Sequence, residues 1–119
     1  MPTSRLSISG DPALALIVRI FVGSVAERWD VPVSIREDLR LAASELFSGA
    51  VEAGTSEVVT FDLSKDDEGL ELRAEDVHLD EEDPSDPTGW TGRFRLIKAL
   101  FPDADVSENA VRIRIPSPA

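Results

Sequence analysis

The chain has no cysteine and only one histidine among its 119 residues. The first absence excludes a disulfide framework, a cysteine-ligated metal and a thiol nucleophile. The single histidine, His78, stands beside an acidic stretch, where such a residue is far more often structural or solvent-exposed than a ligand or catalyst. Basic residues are also scarce. There are 12 Lys and Arg against 23 Asp and Glu, giving a net charge of −11. That surplus speaks against direct nucleic-acid binding, because phosphate contacts need a basic footprint. It favours basic partners or plain solubility. A long hydrophobic run is missing too. The most apolar stretch, 13–26 (ALALIVRIFVGSVA), is short, is broken by Arg19, and follows Asp11 rather than a basic cluster. It neither spans a bilayer nor resembles a leader. The expected compartment is cytoplasmic, with no membrane contact.

What is present is enough for one core. An apolar fraction of 42% over this length predicts a single domain across 1–119. Leu6 and Ile8 alternate with polar residues in a short strand over Arg5–Ile8. Asp11 and Pro12 stand as N-cap and first helical residue of a helix running from Ala13 to Ala26. Its core stripe reads Leu14, Ile17, Phe21 and Val25. A second helix opens with Ser34 and Glu37 as a capping box and runs to about Ala53, where Gly54 stops it. Its buried stripe reads Ile35, Leu39, Ala42, Ala43, Leu46 and Ala50. Two strands follow, with Val59, Phe61 and Leu63 alternating in one and Leu70, Leu72 and Ala74 in the other. Ser64 to Gly69 is the loop between them.

From residue 75 to 88 the chain turns acidic, with Glu75, Asp76, Asp80, Glu81, Glu82, Asp83 and Asp86 and two prolines. This reads as an exposed loop. Thr88 to Gly92 then leads into a helix over Arg93–Leu100, ended by Pro102. The last pair of strands holds Asp105 and Val106, a Ser-Glu-Asn turn, then Val111, Ile113 and Ile115 alternating with Arg112 and Arg114. The order predicts an α+β two-layer sandwich, three helices on one face of a mostly antiparallel mixed sheet.

With these residues in place, the chain resembles the GHKL, or Bergerat-fold, ATPases, in particular the small bacterial serine kinases that act as anti-sigma factors. Leu39 to Gly54 (LRLAASELFSGAVEAG) is similar to that family's N-box helix. Gly92 to Leu100 (GRFRLIKAL) and Asn109 to Pro116 (NAVRIRIP) are similar to its closing helix and last strand pair. Leu70 to His78 (LELRAEDVH) stands where the family carries its D-x-G-x-G nucleotide motif. The resemblance spans nearly the whole chain.

It implies a damaged nucleotide site. In the family the N-box glutamate is a general base, and an asparagine four residues on holds Mg²⁺. Positions i and i+4 share a helix face, so both reach the same phosphates. Glu45 keeps the acid as a remnant base, but Gly49 stands where the asparagine belongs and offers no oxygen ligand. Phosphoryl transfer rests on positioning and charge neutralisation, so this loss should disable it. Ser48 projects about a hundred degrees away around the helix and is no substitute. A helical glycine also has a plainer explanation, close packing against a neighbouring backbone. Asp76 survives at the adenine-binding position, while His78 replaces the glycine that lets backbone approach the base. Gly89 and Gly92 are retained where the family's lid reaches a helix N-terminus. That lid is densely acidic here and would repel a triphosphate.

The resemblance therefore implies a non-catalytic, anti-sigma-factor-like regulator of transcription that has lost or weakened ATP binding. Its expected partner is a sigma factor, a STAS-type anti-anti-sigma factor, or both. No metal or other cofactor is expected beyond weak binding of ATP and Mg²⁺. The alternative is a divergent but active ATP-dependent serine kinase, with Glu45 as base and Asp76 or a lid acid recruiting the metal. A further alternative is an oligomerisation module, possible as a homodimer, using Trp29, Phe47, Trp90 and Phe94 as an exposed apolar surface. Arg93, Arg95 and Lys98 on the third helix, with Arg112 and Arg114 on the last strand, read as exposed faces paired with acids, the alternative being a contact site for an acidic partner.

Overall fold

The computed structural model describes residues 3–53, 57–75, 90–106 and 110–116, with backbone alone at 53, 90–94 and 106. Strand β1 (Thr3–Ser9) leads into a single 3-10 turn (Pro12–Leu14) and helix α1 (Ala15–Arg28). Helix α2 (Val33–Ala53) follows, then strands β2 (Val58–Asp66) and β3 (Gly69–Glu75). Helix α3 (Trp90–Leu100), the two-residue strand β4 (Asp105–Val106) and β5 (Ala110–Pro116) complete the chain. The five strands form one sheet in the order β1-β2-β3-β5-β4. Every pairing is antiparallel, so the sheet is not mixed in direction.

The expected α+β sandwich holds at this level. Val59, Phe61, Leu63, Leu72, Ala74, Val111 and Ile113 turn one sheet face inward, each at most 2% exposed. Val18 and Val22 of α1, Leu39, Leu46 and Phe47 of α2 and Ile97 of α3 close over that face in the same core. The period-2 alternation of the strands and the helical stripe of α2 are both legible in the sequence.

Five details differ from expectation. The stripe of α1 is rotated. Val18, Val22 and Ala26 are fully buried, Leu14, Phe21 and Val25 lie at the flank, and Ile17 is 44% exposed. Asp11 does cap the entry, its Oδ1 accepting from Ala13 N at 2.9 Å, but it starts the 3-10 turn and the α-helix follows one turn later. The second helix does not start from a Ser34 cap. Arg36 N donates to Pro32 O at 2.9 Å, which places Ser34 inside the first turn. Glu37 then pairs with Arg40 at 3.0 Å instead of completing a capping box.

The loop expected over Ser64–Gly69 shrinks to Asp67 and Glu68, with Asp66 paired to Gly69. Asp66 Oδ1 makes this possible by accepting from Glu68 N and Gly69 N at 2.8 and 3.0 Å. Gly69, at φ 147°, takes a conformation other residues avoid. Helix α3 begins at Trp90 rather than Arg93, so Gly92 falls in its first turn. Pro102 follows its end as expected, and Lys98 Nζ donates to Pro102 O and Ala104 O at 3.2 and 2.7 Å. The stop at Gly54 and the turn at 107–109 lie outside the described residues.

The turn between α1 and α2 has a full Schellman geometry. Asp30 N donates to Glu27 O at 3.1 Å, and Val31 N donates to Ala26 O at 3.0 Å. Asp30 occupies the left-handed position at φ 59°, where glycine is usual.

Candidate functional site

The candidate nucleotide residues begin on α2. Glu45 and Gly49 lie one turn apart along one face of the helix, as the spacing requires. Their surroundings differ. Glu45 is half-buried and engaged by a neighbouring group, whereas Gly49 is buried. Around the helix Gly49 falls between Glu45 and Leu46, at the margin of the stripe in which Leu46 and Ala50 are each 1% exposed. Just before Glu45, Ser44 is 8% exposed and accepts from Arg19 Nε of α1 at 3.4 Å. This buried hydroxyl was not singled out from the sequence. A serine among alanines on a helix stripe gives no signal until its partner on another helix is known.

The second part of the candidate site approaches from β3. That strand ends at Glu75, paired with Thr60 of β2. Helix α2 ends at Ala53 and β2 starts at Val58. Five residue steps reach no more than about 18 Å. The C-terminal end of α2 and the end of β3 are thus at one end of the molecule. Asp76 follows directly on Glu75. Asp76, His78, Gly89 and the acidic stretch beyond Glu75 lie outside the described residues, as do the side chains of Trp90, Arg93 and Phe94. Of the retained site residues, Glu45 alone is described with its side chain.

Among the described residues, two clefts lie at the hairpin end of the sheet. One of about 320 Å³ is lined by Trp29, Pro32, Ile35, Lys65, Leu70 and Ile115. It sits beneath the α1–α2 turn and the β2–β3 hairpin, at the far end of α2 from Gly49. Another of about 260 Å³ lies beside the same hairpin, between Ser64, Asp66, Glu71 and Arg114. Neither touches Glu45 or Gly49.

The open face of the sheet carries a row of charges across all five strands, with Arg5, Asp62, Arg73, Arg112 and Asp105 in register. Arg5 and Asp62 form a two-pronged pair, Nε to Oδ1 at 2.6 Å and Nη2 to Oδ2 at 3.2 Å. The hydrogen bond to Asp62, and then the carboxylate charge, raise the Arg5 pKa above its ordinary value. Arg73 and Arg112 stand directly opposite each other, which is unfavourable unless each finds an acid. Arg112 Nε lies 3.5 Å from Glu71 Oε1, and Arg73 Nε lies 3.3 Å from Glu75 Oε1. The second contact is an ion pair too poorly aligned to be a hydrogen bond, since Arg73 Nε has no hydrogen-bond partner. Arg112 is thus paired with an acid, as expected of the basic strand residues.

Of the four aromatics in the alternative exposed surface, the side chains of Trp90 and Phe94 lie outside the described residues, and the other two are not exposed. Phe47 is fully buried and Trp29 packs at the flank of the core. Among the described residues the exposed large apolar side chains are aliphatic, with Leu16, Ile17 and Ile20 clustered on α1. No protein-family model matches the chain, and no curated protein matches it.

Proposed function

We propose that the protein is a non-catalytic, anti-sigma-factor-like regulator that works by binding other proteins, with ATP binding lost or weakened. The observation that carries this reading is the burial of Gly49. The position four residues after Glu45, where the resemblance calls for a magnesium ligand, is a buried glycine with no side-chain oxygen to offer.

The net charge of −11 suits a basic partner surface, as sigma factors present. Among the described residues, the charged open face of the sheet and the outer surface of the helical layer are open to partners. A Bergerat-type arrangement of the nucleotide pocket belongs to the same proposal, as does a role in transcription in the cytoplasm.

The test is direct binding of the purified chain to the sigma factors and STAS-domain proteins of its own cell, at rising salt. The reading expects one of them to bind, with affinity falling as salt rises. It expects no phosphate transfer to that partner from labelled ATP. Transfer that disappears in Glu45→Ala would establish the active serine kinase instead.

A further inference from the structure

Strand β2 carries its inward alternation one step past the core. Val59, Phe61 and Leu63 face the helices fully buried, and Lys65 is the next residue on that side. Its register partner is Leu70, another inward residue. A lysine on the apolar side of a sheet needs water or a counter-charge for its ammonium. Among the described residues Lys65 has no ion pair and no side-chain hydrogen bond.

Lys65 lines the cleft of about 320 Å³ beneath the α1–α2 turn. Trp29, Ile35, Leu70 and Ile115 supply apolar walls, and Asp30 is the one acid among the lining residues. The main-chain amide of Asp30 closes the Schellman turn and so fixes the residue at this place. Its carboxylate likewise has no ion pair or hydrogen bond among the described residues. One unpaired charge of each sign therefore borders an apolar hollow. The hollow has room for about ten water-sized atoms, at the small end of ligand pockets and far short of a nucleotide.

Charge narrows the choice of ligand. A simple anion would suit Lys65 but meet Asp30 and a body of net charge −11. A simple cation would suit Asp30 and the Trp29 ring but meet Lys65. A molecule with both charges suits both. The helix ends agree, because the cleft lies where α1 stops and α2 begins. The end of α1 favours a cation, and the start of α2, whose first turn holds no acid, favours an anion.

We infer that this cleft is a binding site for a free α-amino acid with an apolar side chain, of the size of leucine. The carboxylate meets Lys65 beside the first turn of α2, and the ammonium meets Asp30. The side chain rests on Trp29, Ile35, Leu70 and Ile115. A ligand held this way ties the α1–α2 turn to the β2–β3 hairpin. Glu45 and Gly49 take no part, so the inference is independent of the proposed function.

The experiment is amide-detected NMR of the full chain, titrated with L-leucine to millimolar concentration. Leucine should bind saturably, with shifts centred on Asp30, Val31, Lys65 and Leu70. Two analogues divide the roles: isopentylamine lacks the carboxylate and isocaproate lacks the ammonium. Each should bind about tenfold more weakly than leucine. Lys65→Met should weaken leucine by about the same factor and leave isopentylamine unchanged. Asp30→Asn should weaken leucine and leave isocaproate unchanged. Both residues are exposed, and asparagine also tolerates the left-handed position, so the fold should hold. Absence of saturable shifts with leucine overturns the inference. So do shifts centred on Glu45, analogues that bind as well as leucine, or variants that bind leucine as the wild type does.

Discussion

Helices α1 and α2 pack side by side on the same sheet, yet they spend their apolar residues in different ways. Along α2 the stripe Leu39, Ala42, Ala43, Leu46, Phe47 and Ala50 is all at most 1% exposed. Along α1 Leu16, Ile17 and Ile20 remain in solvent, clustered within five residues, whereas α2 exposes only Val33 at its first position and Leu41. Where the two helices meet, Arg40 of α2 crosses Gly23 of α1, whose missing Cβ would stand 3.0 Å from Arg40 Cδ. The helix that should carry nucleotide chemistry is committed to the core, and the helix with no expected chemistry has surface to spare. Residue type alone does not separate these uses; the partner of each face does.

Breaking the α2 side of this comparison should have the largest effect. Phe47→Ala removes a fully buried ring and should cost about 3–5 kcal/mol, read as a fall in the urea midpoint. Gly49→Asn comes next. It restores the side chain that the resemblance calls for, but at a buried position. We expect a loss of about 1–3 kcal/mol and no gain of Mg·ATP binding. A variant that instead gained stability in the presence of Mg·ATP would show that Gly49 is the sole defect in the site.

The α1 side should respond in the opposite way. Ile17→Glu with Ile20→Glu should change monomer stability by no more than about 0.5 kcal/mol per site, because both side chains are already in water. Asp30→Gly, at the left-handed position between the helices, should stabilise the fold by under about 1 kcal/mol. Asp62→Asn on the open face should have the smallest effect. The pKa of Arg5 is raised in the fold, so its contribution is complete below the ordinary arginine value and is lost only as pH rises through the folded one. Any loss in Asp62→Asn should therefore be flat across the neutral range, measured by thermal melts at several pH values.

How much of this was legible in the sequence follows from pattern. The strands alternate cleanly and α2 is apolar on one side, so their inward faces could be read residue by residue. Helix α1 is apolar on most of its sides, with Leu16, Ile17, Val18, Ile20, Phe21 and Val22 in close succession. Periodicity cannot fix a phase there, and the expected stripe was rotated about one residue from the real one. Ser34 looked like a cap because its side chain suits one, while the main-chain carbonyl of Pro32 accepts the first helical bond. The hairpin was read too long because the turn is closed by Asp66, whose contact appears only in three dimensions. In the candidate site, the spacing of Glu45 and Gly49 was legible, but the burial that distinguishes them was not.

The central claim is that α2 keeps the scaffold of a nucleotide site without its metal chemistry. The most direct measurement is a calorimetric titration of Mg·ATP into the wild-type chain, with Glu45→Ala as the control. The account predicts no heat beyond dilution in either protein at micromolar concentrations. Stoichiometric binding by the wild type that is lost in Glu45→Ala would contradict it.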